Sequence, residues 1–166
     1  DKIVSVGMFE HVGLNNLPHY FAITYRLLKP GGLFLNHGIT ETQEGWGKSV
    51  GTCFMNRYVF PDGELDTIGN VQVAMERVGF EVLDVEALRW HYAMTLRHWT
   101  QRLESNKREA LQHVSKSIYR IWRLYMTACA LQFEKGEIGV YQILTAKKLA
   151  GFNPVPMTRG DLYNAD

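Results

Sequence analysis

The stretch from Ile3 to Asn36 admits few folds. Ile3, Val4 and Val6 form a short apolar run that ends at Gly7, as a buried strand does. Asn15 to Leu28 then carries Leu17, Phe21, Ile23, Tyr25, Leu27 and Leu28 in an imperfect helical stripe. The segment "KPGG", Lys29 to Gly32, stops it: Pro30 cannot continue a helix, and the glycines permit a sharp reversal into the apolar strand Leu33 to Asn36. A strand, a helix and a second strand joined by so short a return form a βαβ unit. Its strands must pair in parallel and its crossover must be right-handed. The chain is therefore expected to be an α/β protein with an open sheet.

Beyond this unit the pattern loosens and then recovers. Gly38 to Gly63 contains Gly45, Gly47, Gly51 and the turn sequence "YVFPDG", and reads as a loop or lid. Leu65 to Val78 regains helical spacing through Ile68, Val71, Val73, Ala74, Met75 and Val78, with Gly79 placed to cap it. Phe80 to Leu88 alternates as a strand. From Tyr92 the spacing is helical for about forty residues. Leu111, Val114, Ile118, Ile121 and Tyr125 fall on one face of that stretch, and Lys116, Arg120 and Arg123 largely elsewhere. Ile138 to Ala146 alternates as a last strand. The tail "GFNPVPMTRGDLYNAD" has the Pro and Gly content of an irregular surface segment, so residues 1–150 are expected to form one folded unit and 151–166 an irregular extension.

With 166 residues, 46% hydrophobic and 21% charged, the chain can bury a full core. No apolar run approaches the roughly 18 residues of a bilayer span, and no basic stretch leads into an apolar one, so no targeting segment is read. Cys53 and Cys129 lie far apart without ligand spacing, which argues against a disulfide framework and a structural zinc and for a reducing, cytoplasmic setting. No metal site is expected. The net charge of +1 conceals an asymmetry: residues 1–90 carry 7 basic and 11 acidic side chains, and residues 91–166 carry 11 and 6. Between Met94 and Leu131, Arg97, Arg102, Lys107, Arg108, Lys116, Arg120 and Arg123 stand against Glu104 and Glu109 alone. Such a segment suits phosphate groups, and it equally suits a solvated helix face.

Ligands of open α/β sheets bind outside the carboxyl ends of the strands. Glu10, in "SVGMFEHVG", follows the first strand and His37 follows the second, so both are expected at one edge of neighbouring strands. One can place an acid or base and the other can donate to an anion. A capping carboxylate and a hydrogen-bonded core imidazole explain the same positions without chemistry. Cys129, in "TACAL", falls in a helical stripe and reads as a small core residue.

The segments "DKIVSVGMFEHVG", "YFAITYRLLKPGGLFLNHGIT", "NRYVFPDGEL" and "HYAMTLRHW", in this order, resemble the cyclopropane-fatty-acyl-phospholipid synthase family, including its mycolic-acid relatives, from Asp1 to about Lys148. The resemblance implies a Rossmann-like class I methyltransferase sheet, represented by its C-terminal strands and helices, with an inserted lid and long basic helices. It implies S-adenosylmethionine as cofactor. In the family the glycine-rich loop for that cofactor, the acidic residue at its ribose and an active-site cysteine all lie upstream of the strand that begins here at Lys2. The main cofactor-binding motifs are thus expected outside this chain, which matches the C-terminal half and is expected to be inactive alone. The family also holds a bicarbonate ion, and the matching positions are Glu10, His37, the main chain near Ile39, and Tyr92. Glu10, His37 and Tyr92 are thereby implied as catalytic.

The implied reaction moves a methylene group from S-adenosylmethionine to the double bond of an unsaturated phospholipid acyl chain. Methyl transfer leaves a carbocation, and bicarbonate is the implied base for the proton lost on ring closure. A side-chain carboxylate touching that cation could be alkylated, whereas a small ion can be replaced. A carboxylate beside an anion, as Glu10 would be, disfavours its own ionised form or requires a shared proton. Met8, Phe9, Phe54 and Trp90 would line an acyl channel, or be plain core. If the substrate is a phospholipid, the basic segment favours its surface, so a cytoplasmic enzyme attached peripherally to an anionic membrane surface through Lys116, Arg120 and Arg123 is expected, with no nucleic-acid partner and a homodimer possible. Two other readings stay open. Small-molecule N- or C-methyltransferases of the same fold share "MFEH" and "HYA", and a non-catalytic truncated fragment would retain the same residues.

Overall fold

The computed structural model describes residues 1–44 and 47–163, the side chains of Asp161 and Leu162 excepted. Strand β1 (Lys2–Val6) leads through two 3-10 turns, Phe9–His11 and Leu14–Asn16, into helix α1 (Leu17–Leu27), and β2 (Leu33–Glu41) follows. Pro18 sits in the first turn of α1, where a missing N–H costs nothing. Gly31, at φ 74°, makes the reversal after Pro30. β1 and β2 pair in parallel, with Ser5 opposite Asn36 and Val6 opposite His37, as the βαβ reading expects.

The remaining elements are α2 (Val50–Tyr58), α3 (Ile68–Arg77), β3 (Phe80–Ala87), α4 (Arg89–Ser105), α5 (Lys107–His113), α6 (Lys116–Lys135), β4 (Ile138–Lys147) and α7 (Gly160–Tyr163). β4 enters between β2 and β3, antiparallel to both, so the sheet order is β1-β2-β4-β3. Alternation along β2 and β4 sorts the core onto two faces. Phe34 and Ile143 pack with Phe21, Leu28, Val71, Met75 and Phe80, under α1 and α3. Ile39, Ile138 and Val140 pack on the other face, against Ala93 and Leu96 of α4 and Met126, Ala130 and Phe133 of α6.

The structure corrects several sequence expectations. β1 is an edge strand among the described residues and is not fully buried: Val4 and Val6 are 62% and 63% exposed. β2 does not stop at Asn36, because β4 pairs along it from Leu33–Ala146 to Glu41–Ile138. His37 therefore lies inside the strand and not after it. The loop or lid read over Gly38–Gly63 gives way to this longer strand and to α2, which Ser49 and Thr52 start with a reciprocal capping box. Gly45, one of the glycines behind that reading, lies outside the described residues. The forty-residue helical stretch is three helices beginning at Arg89: Val114 is extended and Ser115 caps α6 by accepting the Ile118 N–H. Leu111 and Val114 thus do not share a helix face with Ile118, Ile121 and Tyr125. The buried residues of α6 are Tyr119, Met126, Cys129, Ala130 and Phe133.

Lys147, at the end of β4, joins the sheet to α1. Its Nζ donates to the carbonyls of Tyr25 and Leu28, each at 2.9 Å, and stands 4.5 Å from the Tyr25 ring centroid. These are carbonyls that the end of a helix leaves without partners. Lys147→Met keeps the stem and removes the ammonium. In urea unfolding of the intact gene product it should cost about 2 kcal/mol, and unchanged stability would contradict this role.

Candidate active site

β1 leaves the sheet at Gly7, whose N–H makes a last ladder bond to the His37 carbonyl at 2.9 Å. With φ at 63°, Gly7 turns the chain into the 3-10 turn that carries Glu10. The turn lays Glu10 against β2, where Oε1 accepts the Ile39 N–H at 2.8 Å. This approach uses the bare backbone of Gly38: a Cβ there would run into the Phe9 ring and stand 2.7 Å from Glu10 Oε1.

Asn36 and His37 alternate across β2. Asn36 faces α1, where the Tyr20 hydroxyl is 3.4 Å from Oδ1, and His37 faces α4, where Tyr92 Oη is 2.6 Å from Nε2. The Tyr92 ring lies 5.7 Å from the rings of both His37 and Phe133, centroid to centroid. Glu10 and His37 are 6% and 7% exposed, and Tyr92 is half-buried. The structure thus brings Glu10, His37, Ile39 and Tyr92 into one neighbourhood. Lys116, Arg120 and Arg123 are not part of it: they stand on the first two turns of α6, with Arg123 paired to Glu104 at 2.5 Å. Of the apolar candidates, Phe9 is core, Phe54 packs on Tyr58, Met8 is exposed, and Trp90 is exposed under the Arg89 guanidinium.

Glu10 Oε2 and His37 Nδ1 are buried with no hydrogen-bond partner among the described residues. Burial pushes the Glu10 carboxyl above its ordinary 4.5, and the Ile39 N–H and the His11 charge offset this only partly. Burial lowers His37 below 6.5. Burial, then the Glu10 charge, raises Tyr92 above 10.0. Near neutrality the pair is therefore a neutral imidazole and a neutral phenol, and it keeps one spare donor in either tautomer. If Nε2–H donates to Tyr92, the phenol O–H is free; if the phenol donates, Nδ1–H is free. A spare donor on that pair and a spare carboxyl oxygen on Glu10 are groups that can hold a small polar ion and share a proton with it. Cys129 adds no nucleophile, since burial pushes its thiol up to about 11 and it packs in the α6 core.

Sequence reasoning missed Tyr20 and Ser5. The Tyr20 hydroxyl donates to Ser5 Oγ at 2.6 Å, and burial, then the Glu10 charge, raises its pKa. Only the β1–β2 register, which sets Ser5 opposite Asn36, could have pointed to them. A row of rings was missed as well: His11 to Phe60 at 5.2 Å, Phe60 to Tyr125 at 5.8 Å and Tyr125 to Trp122 at 5.4 Å. It runs from the Glu10 turn to the outer part of α6.

The family model described as mycolic acid cyclopropane synthetase matches residues 1–143. The chain belongs to that family. It is similar, at 47% identity over 167 residues, to a probable fatty acid methyltransferase of Pseudomonas putida, 98% of this chain matching 42% of that protein. Two solved structures superpose on 89% of the chain, which covers 55% of each. The cyclopropane synthase MmaA2 from Mycobacterium tuberculosis does so with a TM-score of 0.82 at 33% identity. The mycolic acid cyclopropane synthase CmaA1 complexed with SAH and CTAB does so with 0.81 at 35%. The chain thus spans about half the length of the relatives it matches. The family read from the sequence and the class I methyltransferase sheet it implied are both borne out.

The raised Glu10 pKa carries a sign. A group that binds its proton more tightly when folded contributes stability at low pH, and that contribution is lost as pH rises through its folded value. The loss therefore begins above 4.5. Glu10→Gln removes the titration and can still accept the Ile39 N–H. Urea unfolding at pH 5 and pH 8 should show the variant gaining on the wild type as pH rises. A parallel pH dependence in both proteins would contradict the buried carboxyl.

Proposed function

We propose that the chain is the carboxyl-terminal part of an S-adenosylmethionine-dependent enzyme that builds a methylene bridge across the double bond of an unsaturated phospholipid acyl chain. Glu10, His37 and Tyr92, with the main chain at Ile39, hold a bicarbonate ion in this reading. The observation that carries it is the pair of spare buried atoms, Glu10 Oε2 and His37 Nδ1, beside the bonded His37–Tyr92 pair. Bicarbonate both donates and accepts. Its O–H suits the free oxygen of Glu10, and its anionic oxygens suit the spare donor of the Tyr92–His37 pair. The carboxylate beside an anion then becomes one hydrogen bond with a shared proton, not a repulsion. The Ile39 N–H is already taken by Glu10, so its part is to fix the carboxyl.

S-adenosylmethionine, when bound, supplies the methyl group. The chain contains no G-x-G-x-x-G turn, and it offers Gly7 and the exposed Met8, at the carboxyl end of β1, as one wall of such a site. The rest of the cradle is assigned to a further part of the enzyme that completes the sheet at the open edge of β1, where Ile3, Val4, Val6, Tyr20 and Leu27 line an apolar groove. The chain by itself is accordingly incomplete as a catalyst. A bicarbonate at the cluster supplies a base that can be exchanged if alkylated. The chain's own residues hold and orient it, and the neutral forms of His37 and Tyr92 put no second charge beside it. The fatty acid methyltransferase name of the Pseudomonas putida relative and the SAH complex of CmaA1 support the substrate class and the methyl donor.

The test is turnover of a monounsaturated phospholipid by the intact gene product, with the fatty acid products identified by mass spectrometry. Glu10→Gln, His37→Gln and Tyr92→Phe should each lower kcat by roughly a hundredfold and leave S-adenosylmethionine affinity within about twofold. Added bicarbonate should restore part of the Tyr92→Phe deficit. Wild-type rates in all three variants would remove the ion from the account. Turnover of amines and not of lipid would move the protein to the small-molecule methyltransferases.

A further inference from the structure

Arg89 opens α4, where the positive pole of that helix disfavours a cation. Its guanidinium serves the far end of another helix. Nη1 donates to the carbonyl of Phe133 and, at 3.1 Å, to that of Glu134, close to Gly136, the left-handed residue that caps α6. The N–H groups of Gly136 and Glu137 return to Gln132 and Phe133, so Arg89 supplies the donor that the cap leaves out at Glu134. The exposed ring of Trp90 lies 4.5 Å from the guanidinium carbon and covers one face of it. Tyr92 stands one turn further along α4, its N–H bonded to the Leu88 carbonyl at 3.2 Å. Phe133 therefore meets Arg89 through its carbonyl and Tyr92 through its ring.

We propose that Arg89, covered by Trp90, is a positioning residue for the reaction: it fixes where α4 sits along α6, keeps the Tyr92 phenol on His37, and acts on turnover through that phenol. The apolar contacts between the two helices, Ala93 and Leu96 against Met126, Ala130 and Phe133, hold α4 down without fixing its position along the axis, since apolar burial has no direction. Hydrogen bonds do have one. The Tyr92–His37 bond is 2.6 Å long, and a slide of α4 by about 1 Å would end it. Arg97 makes a second link, to Glu134 at 2.7 and 2.8 Å, but that pair is more exposed and lies two turns from the start of the helix. The start of α4, where Tyr92 stands, is left to Arg89. The inference deepens the reaction proposed above and rests on it.

The experiment is a mutant cycle in the intact gene product, read by turnover of a monounsaturated phospholipid. Arg89→Met keeps the stem and removes the donors; it should lower kcat about tenfold and leave KM within about twofold. In a Tyr92→Phe background the same change should add less than about twofold, because the hydroxyl it positions is already gone. Arg97→Met, which breaks the other link between the helices, should stay within about twofold of the wild type. A readout independent of turnover is the titration of His37 by NMR of ring-labelled histidine, its signal identified by its loss in His37→Gln. Burial holds His37 below 6.5, so Arg89→Met should move it up toward that value and Arg97→Met should not. Arg89→Lys retains one cationic donor and should recover part of both effects; if Arg89→Met does not fold, it takes its place in every comparison, with a loss of about threefold expected. Wild-type kcat in the folded Arg89 variant, losses that multiply with Tyr92→Phe, or an equal His37 shift in Arg97→Met would overturn the positioning role. A wild type that turns over no lipid would instead overturn the reaction, and the His37 titration would still decide the role of Arg89.

Discussion

The hydrogen bond from the Ile39 N–H to Glu10 fixes the geometry on which the site depends. β1 stops pairing after Gly7, so the next amide along that edge of β2 needs a partner, and a buried amide without one costs about 1–3 kcal/mol. A buried carboxyl likewise needs a donor. Each answers the other, and the rest of the turn follows from their meeting. Phe9 enters the core under α1 and α3. The Glu10 carbonyl receives the Glu64 N–H at 2.9 Å, and Glu64 Oε2 receives the Leu14 N–H at 2.8 Å, so the segment before α3 closes over the turn.

The sheet then divides the polar groups between its faces. Asn36 goes with Tyr20 and Ser5 on the α1 side, and His37 with Tyr92 on the α4 side. Tyr92 is held from two directions. Phe133 of α6 packs on its ring, and Arg89, one turn before it, donates to the carbonyls of Phe133 and Glu134 near the end of α6. A cation at that helix end meets partly unsatisfied carbonyls and the negative pole of the helix. The start of α4 is thus pinned to the end of α6, and the phenol stays over the imidazole. Burial then keeps both rings neutral and raises the carboxyl, which makes the cluster a holder of protons more than a charged pair.

Much of this was legible in the sequence wherever one local rule acted alone. "KPGG" fixed the βαβ unit because proline and glycine act within a few residues. The helix ending at Gly79 and the alternating strand after it were readable for the same reason. The extent of β2 was not, because only pairing with β4, about a hundred residues later, carries the strand past Gly38. The break at Val114 was hidden by a spacing that stays helical across it, although Ser115 was available as a cap. Glu10 and His37 were visible as polar residues near strand ends. Tyr92 and Ile39 came only through the family resemblance, since no spacing rule links a residue on α4 to one on β2. Which basic residues were free was also out of reach, because the pairing of Arg97 with Glu134 and of Arg123 with Glu104 depends on how α4 packs on α6.

The central claim is that the spare polar atoms of Glu10, His37 and Tyr92 hold a small ion. The most direct measurement is carbon-13 NMR of the intact gene product with labelled bicarbonate. The account predicts a bound resonance, one equivalent per chain, distinct from free bicarbonate and lost in Tyr92→Phe. A spectrum with only free bicarbonate and carbon dioxide at saturating concentrations, or a bound signal indifferent to Tyr92, would contradict it.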